Sequence, residues 1–316
     1  MSSTISTKSL RIDYDTVTAV DDLNLQINSG QIFGLVGPNG AGKTSTLKAL
    51  AGLVEPTYGE IKIHGYDLEL EPQKALQLIG FMPDFPPVYE NLKVWEYLDV
   101  FAAAYHISKN ERRKKAKFWI EEVNLTEKWD SFVHQLSRGM RQRLVLAKTL
   151  IHDPQILLLD EPASGLDPVA RRDFRTILKK AAQAPKTIII SSHILTELSD
   201  FCDSIGIMEK GRIVVSGTIE EIRKKLGSRG QLFITIASDN RSILEKFHTL
   251  MKNSSEVIEL KENAAGVYQS EFSGTKEDAA ILLTKLVKEN IPVAGFHIKE
   301  EDVEDIFFKI GAKEVS

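Results

Sequence analysis

One cysteine in 316 residues, Cys202, leaves no partner for an internal disulfide. That excludes a small cross-linked scaffold and fits a reducing compartment, with Cys202 read as a small core residue on a strand. Charge of one sign is missing too: Lys+Arg total 40 and Asp+Glu 44, so there is no basic field of the kind that binds nucleic acid. No apolar run approaches the ~20 residues that span a bilayer, and residues 1–10 lack the apolar stretch of a secretory leader. The expectation is a soluble, cytoplasmic chain that reaches a membrane only through a partner. Internal repeats and low-complexity tracts are absent, which excludes repeat arrays and disordered linkers as the main architecture.

What is present is length enough for two domains and a regular alternation of strand-like and helix-like segments. Residues 10–14 and 20–27 alternate, with Leu23, Leu25 and Ile27 on one face. Residues 31–36, 155–160 and 187–191 are short apolar runs of the kind buried in parallel sheets. Residues 58–65 read as a further strand, and 89–123 as helical with Trp95, Leu98, Phe101 and Ala102 on one face. The charged stretch 109–117 reads as a solvated helix face. Alternating elements of this kind predict an α/β fold with helices covering the sheet. A composition change at 227–230 predicts a linker. Beyond it, strands at 231–237, 257–260, 266–272 and 293–298 and helices at 241–251, 276–289 and 303–310 give the order β-α-β-β-α-β, the pattern of a small ferredoxin-like α+β domain.

Three motifs carry chemistry. The strand 31–36 runs into Gly37-Pro38-Asn39-Gly40-Ala41-Gly42-Lys43-Thr44, and a helical pattern follows. This is a P-loop: glycines let backbone N–H groups close around phosphate at a helix N-terminus, with Lys43 aimed at the β- and γ-phosphates and the Thr44 hydroxyl at Mg²⁺. Ser45, next on the helix, is placed for a phosphate oxygen. The second motif is Leu136-Ser137-Arg138-Gly139-Met140. The third is Leu157-Leu158-Leu159-Asp160-Glu161-Pro162, with Asp160 lying 23 positions after Ser137 (160 − 137). A carboxylate at the C-terminal end of a buried strand can hold a metal's water shell.

Together these motifs resemble the nucleotide-binding subunit of ABC transporters over residues 1–226. The resemblance implies a P-loop NTPase core of mixed β-sheet and helices with an inserted helical subdomain at 84–150, the linker at 227–230, and an accessory domain at 231–316. It implies ATP and Mg²⁺ as cofactors, with Tyr14 stacking on adenine, residues 37–45 on phosphate, and Thr44 and Asp160 on the metal. Glu161 matches the general base and His193, 33 positions after Asp160 (193 − 160), the histidine that contacts the γ-phosphate. Ser137, Arg138, Gly139 and Met140 would face the ATP of a second copy, and Asp167 lies in the loop that crosses that dimer interface. Arg138 and Met140 replace the glycine and glutamine of the most familiar signature.

In this family glutamine or glutamate usually stands where this chain has Asp84, a shorter carboxylate at a position that senses Mg²⁺ and water. The resemblance implies partnership with integral membrane subunits on the inner face of the cell membrane, and residues 301–307 resemble the tail of bacterial exporter-type subunits. An importer subunit, a soluble ABC ATPase and a regulatory module without turnover stand as alternatives. Chromosome-type members are disfavoured, because only 93 residues separate Lys43 from Ser137 (137 − 43 − 1) and no sustained heptads occur between them.

Overall fold

The computed structural model describes residues 3–85, 87–181, 186–199, 201–225, 230–264 and 266–299. The chain divides into two compact units, Met1–Ile219 and Glu220–Ser316. The linker expected at 227–230 falls mostly outside the described residues.

The first unit opens with the hairpin β1 (Ser3–Tyr14) and β2 (Val17–Asn28), then β3 (Ile32–Val36) and α1 (Lys43–Leu50). Next come β4 (Tyr58–Ile63), β5 (Tyr66–Asp67), α2 (Pro72–Leu76) and β6 (Ile79–Met82). Three helices, α3 (Val94–Ala104), α4 (Lys109–Glu122) and α5 (Arg138–Leu150), stand between β6 and β7 (Ile156–Leu159). The unit continues with α6 (Pro168–Ala181), β8 (Thr187–Ser192), α7 (Thr196–Ser199), β9 (Ser204–Glu209) and β10 (Arg212–Gly217).

One antiparallel sheet has the order β2-β1-β4-β5, and a six-stranded mixed sheet has the order β10-β9-β3-β8-β7-β6. In the second sheet β9, β3, β8, β7 and β6 run parallel and only β10 is antiparallel to its neighbour. The apolar runs explain this: β7 is buried at all four positions and β8 at all six, as strands covered on both faces must be. In β2 the alternation works as read, with Leu23, Leu25 and Ile27 buried. These side chains join Leu47 and Leu50 of α1 and Leu158 of β7 in one core.

The helical reading of 89–123 needs correction. The chain breaks at 105–108, where His106 takes φ 57° and Ser108 opens α4. Residues 89–93 precede α3, whose first turn is closed by Glu96 Oε2 accepting from Lys93 N at 2.8 Å. Leu98 and Ala102 are buried as expected, whereas Trp95 stacks on Trp129 (13° between rings, 6.3 Å apart). Cys202 is also corrected: it lies in the loop before β9, not on it. The chain enters β9 only after Asp203, whose carboxylate accepts from Ile32 N at 2.8 Å. Burial pushes the Cys202 thiol up to about 12.

Lys186, just before β8, is buried and donates to Asp153 Oδ1 at 2.6 Å and to the Pro154 carbonyl at 2.8 Å. The Lys186 hydrogen bond, with that cation's charge, holds the Asp153 carboxyl below its usual range against the opposing effect of burial. A carboxyl lowered in the folded state stabilises it above the unfolded pKa, and this is lost as pH falls through the folded value. Asp153→Asn is expected to cost about 1 kcal/mol at pH 7, the modest figure reflecting water around the largely exposed carboxylate. Urea midpoints measured from pH 7 down to the carboxylate range check it. A loss that does not shrink at low pH would contradict the pairing.

The second unit holds α8 (Ile219–Lys225, which begins one residue before the division), β11 (Gly230–Ile236), α9 (Arg241–Lys252), β12 (Val257–Ala264), β13 (Val267–Phe272), α10 (Lys276–Lys288) and β14 (Val293–Lys299). Its sheet is antiparallel throughout in the order β12-β13-β11-β14. Leu232, Ile234 and Ile236 form one buried face against Phe247 and Met251 of α9 and Leu282 and Leu286 of α10. Asn240 caps α9, and Thr275 with Asp278 forms a reciprocal capping box on α10. The helix expected at 303–310 and the tail 301–307 lie outside the described residues. Among the described residues no helix is long and apolar enough to cross a membrane.

Candidate active site

β3 delivers the P-loop, where Gly37 N donates to Ser192 O at 3.3 Å and Ala41 N to Pro38 O at 3.2 Å. Two of its glycines are compelled by packing: a Cβ on Gly37 would run into the Met208 carbonyl, and one on Gly42 into the Ala19 carbonyl. Gly42 also sits at φ 103°, a left-handed conformation that opens α1. Lys43 is only 5% exposed. Its Nζ donates to Gly37 O at 2.7 Å and Pro38 O at 3.1 Å and lies 3.5 Å from Glu161 Oε1. Thr44 is exposed at the tip of α1, and Ser45 is half-buried in the first turn.

The carboxylates stand at the ends of adjacent parallel strands. Asp160 follows β7 and is 1% exposed, its N–H donating to Met82 O at 2.8 Å. Its Oδ1 accepts from Ser191 Oγ at 2.7 Å and from Thr44 Oγ1 at 3.2 Å. Ser191 Oγ in turn accepts from Glu161 N at 2.9 Å. Glu161 takes φ 46°, a strained left-handed conformation for a side chain of this size. Its Oε2 accepts from His193 Nδ1 at 2.8 Å. Glu161 Oε1 is buried without a hydrogen-bond partner and faces the Lys43 cation.

Asp84 follows β6, on the next strand over. Burial first, then the negative charges of Asp160 and Glu161, push its carboxyl above the usual range; Arg138 and His193 oppose them. Its Oδ1 is buried and unpartnered. The sequence-predicted residues Lys43, Thr44, Asp84, Asp160, Glu161 and His193 therefore converge. Ser191 was not picked out by sequence reasoning. The available signal was a pair of serines following the apolar run 188–190. Further out, Ser192 Oγ donates to Glu197 Oε2 at 3.1 Å, and Glu197 Oε1 pairs with Arg171 at 2.5 Å.

The remaining predicted residues sit around this centre. Tyr14 is 43% exposed and closes the β1–β2 hairpin opposite Val17. The same hairpin touches the P-loop through the Ala19 carbonyl at Gly42. Ser137 caps α5, its Oγ accepting from Met140 N at 3.3 Å. A Cβ on Gly139 would come within 3.2 Å of Ala170 Cβ, so a small residue suits that turn. Arg138 Nη2 donates to Ser164 O at 2.9 Å. Asp167 caps α6, its Oδ1 accepting from Val169 N at 3.0 Å and Ala170 N at 2.9 Å. The contacts of 137–140 thus run to the 163–170 segment of the same chain.

A buried lysine in a glycine-rich anion cradle, beside a hydroxyl, a buried aspartate and a glutamate oriented by histidine, is suited to nucleotide phosphate chemistry. Comparison with known proteins agrees. The family profile described as ABC transporter matches residues 20–164. The bacitracin transport ATP-binding protein BcrA of Bacillus licheniformis is 32% identical over 312 residues, covering 98% of each chain. The Nod factor export ATP-binding protein I of Ralstonia nicotianae is 35% identical over 218 residues, 69% of this chain and 68% of that one. A solved structure titled as the ATP binding subunit of an ABC transporter is 31% identical with TM-score 0.64, covering 71% of this chain and 93% of that one. On this fold, these motifs and these relatives, the chain belongs to the ATP-binding proteins of ABC transporters, which bind and hydrolyse ATP.

Proposed function

We propose that two copies of this chain close head to tail around two ATP molecules, each held between residues 37–45 of one copy and Ser137 and Gly139 at the start of α5 in the other. The cycle of closure and hydrolysis would power export through a separate integral membrane subunit. The observation that carries the reading is Glu161, held between His193 Nδ1 at 2.8 Å and Lys43 Nζ at 3.5 Å at the mouth of the P-loop. In that position Glu161 accepts a proton from the attacking water, His193 fixes the carboxylate and reaches the γ-phosphate, and Lys43 turns from Glu161 to the phosphates. Tyr14 supplies an aromatic face for adenine at the edge of the same hairpin.

The donor set fits Mg²⁺: the Thr44 hydroxyl lies 3.2 Å from the Asp160 carboxylate, and Asp84 offers a buried, unpartnered oxygen. Phosphate and water oxygens would complete the coordination, as is usual for this ion. When bound, the ion supplies neutralisation of the charge that develops on the phosphate oxygens.

Residues 1–226 make up the ATPase domain on this reading, with α3, α4 and α5 as its helical subdomain. The β-α-β-β-α-β order and the strand order β12-β13-β11-β14 support a ferredoxin-like accessory domain at 231–316. Export is supported by the relative named for Nod factor export. Phe85, 76% exposed, and Tyr89, beside α3, leave apolar surface for a membrane subunit that would hold the chain on the inner face of the cell membrane. The test is gel filtration of Glu161→Gln: with MgATP it is expected to elute at twice the monomer mass, and without nucleotide as a monomer. A mass that does not respond to MgATP would remove the sandwich from the account.

A further inference from the structure

We propose that Arg138 is a positioning residue that ties the first turn of α5 to two loops of its own chain, and is not a ligand of the partner's nucleotide. The inference rests on the ATP-hydrolysing site described above and goes beyond it. Although Arg138 is exposed, its guanidinium is held in place. Nη2 donates to Ser164 O at 2.9 Å, and Cζ lies 6.0 Å from the centre of the Phe85 ring, at the limit of a cation–π contact. Gly165 independently marks the guanidinium's place: it takes φ 65°, and a Cβ there would overlap three atoms of the guanidinium. A side chain at 165 would therefore evict Arg138.

Both anchors lead directly to reactive carboxylates. Phe85 follows Asp84 in the chain, and the Arg138 charge reaches the Asp84 carboxyl. Ser164 N donates to Glu161 O at 3.0 Å, within the turn that sets the strained φ of Glu161. A planar guanidinium can bond the carbonyl and lie against the glycine and the ring at once. One side chain thus links the signature turn to the backbones that carry Asp84 and Glu161. Movement of α5 when the partner's ATP binds would reach Glu161 through Arg138 and Ser164. The glycine of the most familiar signature has no side chain to make this link.

The test is steady-state ATP hydrolysis by the full-length chain. Arg138→Gly is expected to lower kcat about tenfold while KM for MgATP stays within about twofold, the pattern of a lost alignment. Arg138→Lys recovers part of kcat, because an ammonium reaches Ser164 O but has no planar face. Phe85→Leu lowers kcat less, and the double variant Arg138→Gly/Phe85→Leu is no worse than Arg138→Gly alone. Arg138→Gln carries the same comparison if the glycine variant melts at a lower temperature. A rise in KM at unchanged kcat would make Arg138 a nucleotide ligand and overturn the proposal. So would additive losses in the double variant, or wild-type kcat in both Arg138→Gly and Arg138→Gln. Wild type and Glu161→Gln, run alongside, show separately whether the hydrolytic site itself is correctly placed.

Discussion

Lys43→Ala is expected to weaken ATP affinity by at least about a hundredfold, because on the proposed reading this buried cation would face the β- and γ-phosphates. At a separation of 4 Å and an effective dielectric of 20, one unit-charge pair amounts to about 4 kcal/mol, and a hundredfold needs about 2.7. Lys43 is 5% exposed, so bulk water screens it weakly. The truncation also orphans groups in the nucleotide-free chain: Gly37 O and Pro38 O lose a donor, and Glu161 Oε1 loses its counter-charge. A stability loss of about 1–3 kcal/mol should accompany the lost affinity. Lys43→Met, which keeps most of the side-chain volume, separates packing from charge and should bind ATP as poorly as the alanine variant. Calorimetric titration with MgATP measures both. Binding within about threefold of wild type would mean that the loop does not use this lysine on phosphate.

Glu161→Gln is expected to behave in the opposite sense on binding and equally severely on turnover. The amide keeps the size of the carboxylate, and its oxygen still accepts from His193 Nδ1, so the local geometry survives. What is lost is a base able to take a proton from water, an effect of about 10²–10⁴ in rate. The Lys43–Glu161 pair at 3.5 Å adds a second consequence. On the proposed reading, Lys43 of the wild type would exchange a carboxylate for phosphate oxygens when ATP arrives. With a neutral glutamine that competition disappears, so ATP affinity should hold or rise. The two variants therefore divide the site: Lys43 for binding, Glu161 for chemistry.

The parts of this site that the sequence displays are those set by covalent spacing. The P-loop and the Asp160-Glu161 pair each occupy consecutive residues, and the apolar runs before them identify strands that end where ligands bind. Asp84, Asp160 and Ser191 are different. They meet because β6, β7 and β8 lie side by side, a neighbourhood that the strand order creates and no local pattern encodes. Asp84 was noticed through its departure from a family pattern, whereas Ser191 had no such flag.

Arg138 was legible as a substitution in the signature, but its partner Ser164 was not, since that contact bridges 26 positions. The helical stretch 89–123 shows the limit of periodicity: it spans a break at 105–108, and His106 in a left-handed turn leaves no mark on the apolar pattern. The elements of the second unit were better displayed. Their strands and helices were read at 231–237, 241–251, 257–260, 266–272, 276–289 and 293–298, each within a few residues of the observed element.

The central claim is that this chain hydrolyses ATP with Glu161 as the base. Its most direct test is phosphate release by purified full-length wild type and Glu161→Gln at saturating MgATP, with ATP binding measured on the same samples. The account predicts turnover in wild type, a loss of about a hundredfold or more in Glu161→Gln, and equal or tighter ATP binding by the variant. Hydrolysis by Glu161→Gln at the wild-type rate would contradict it.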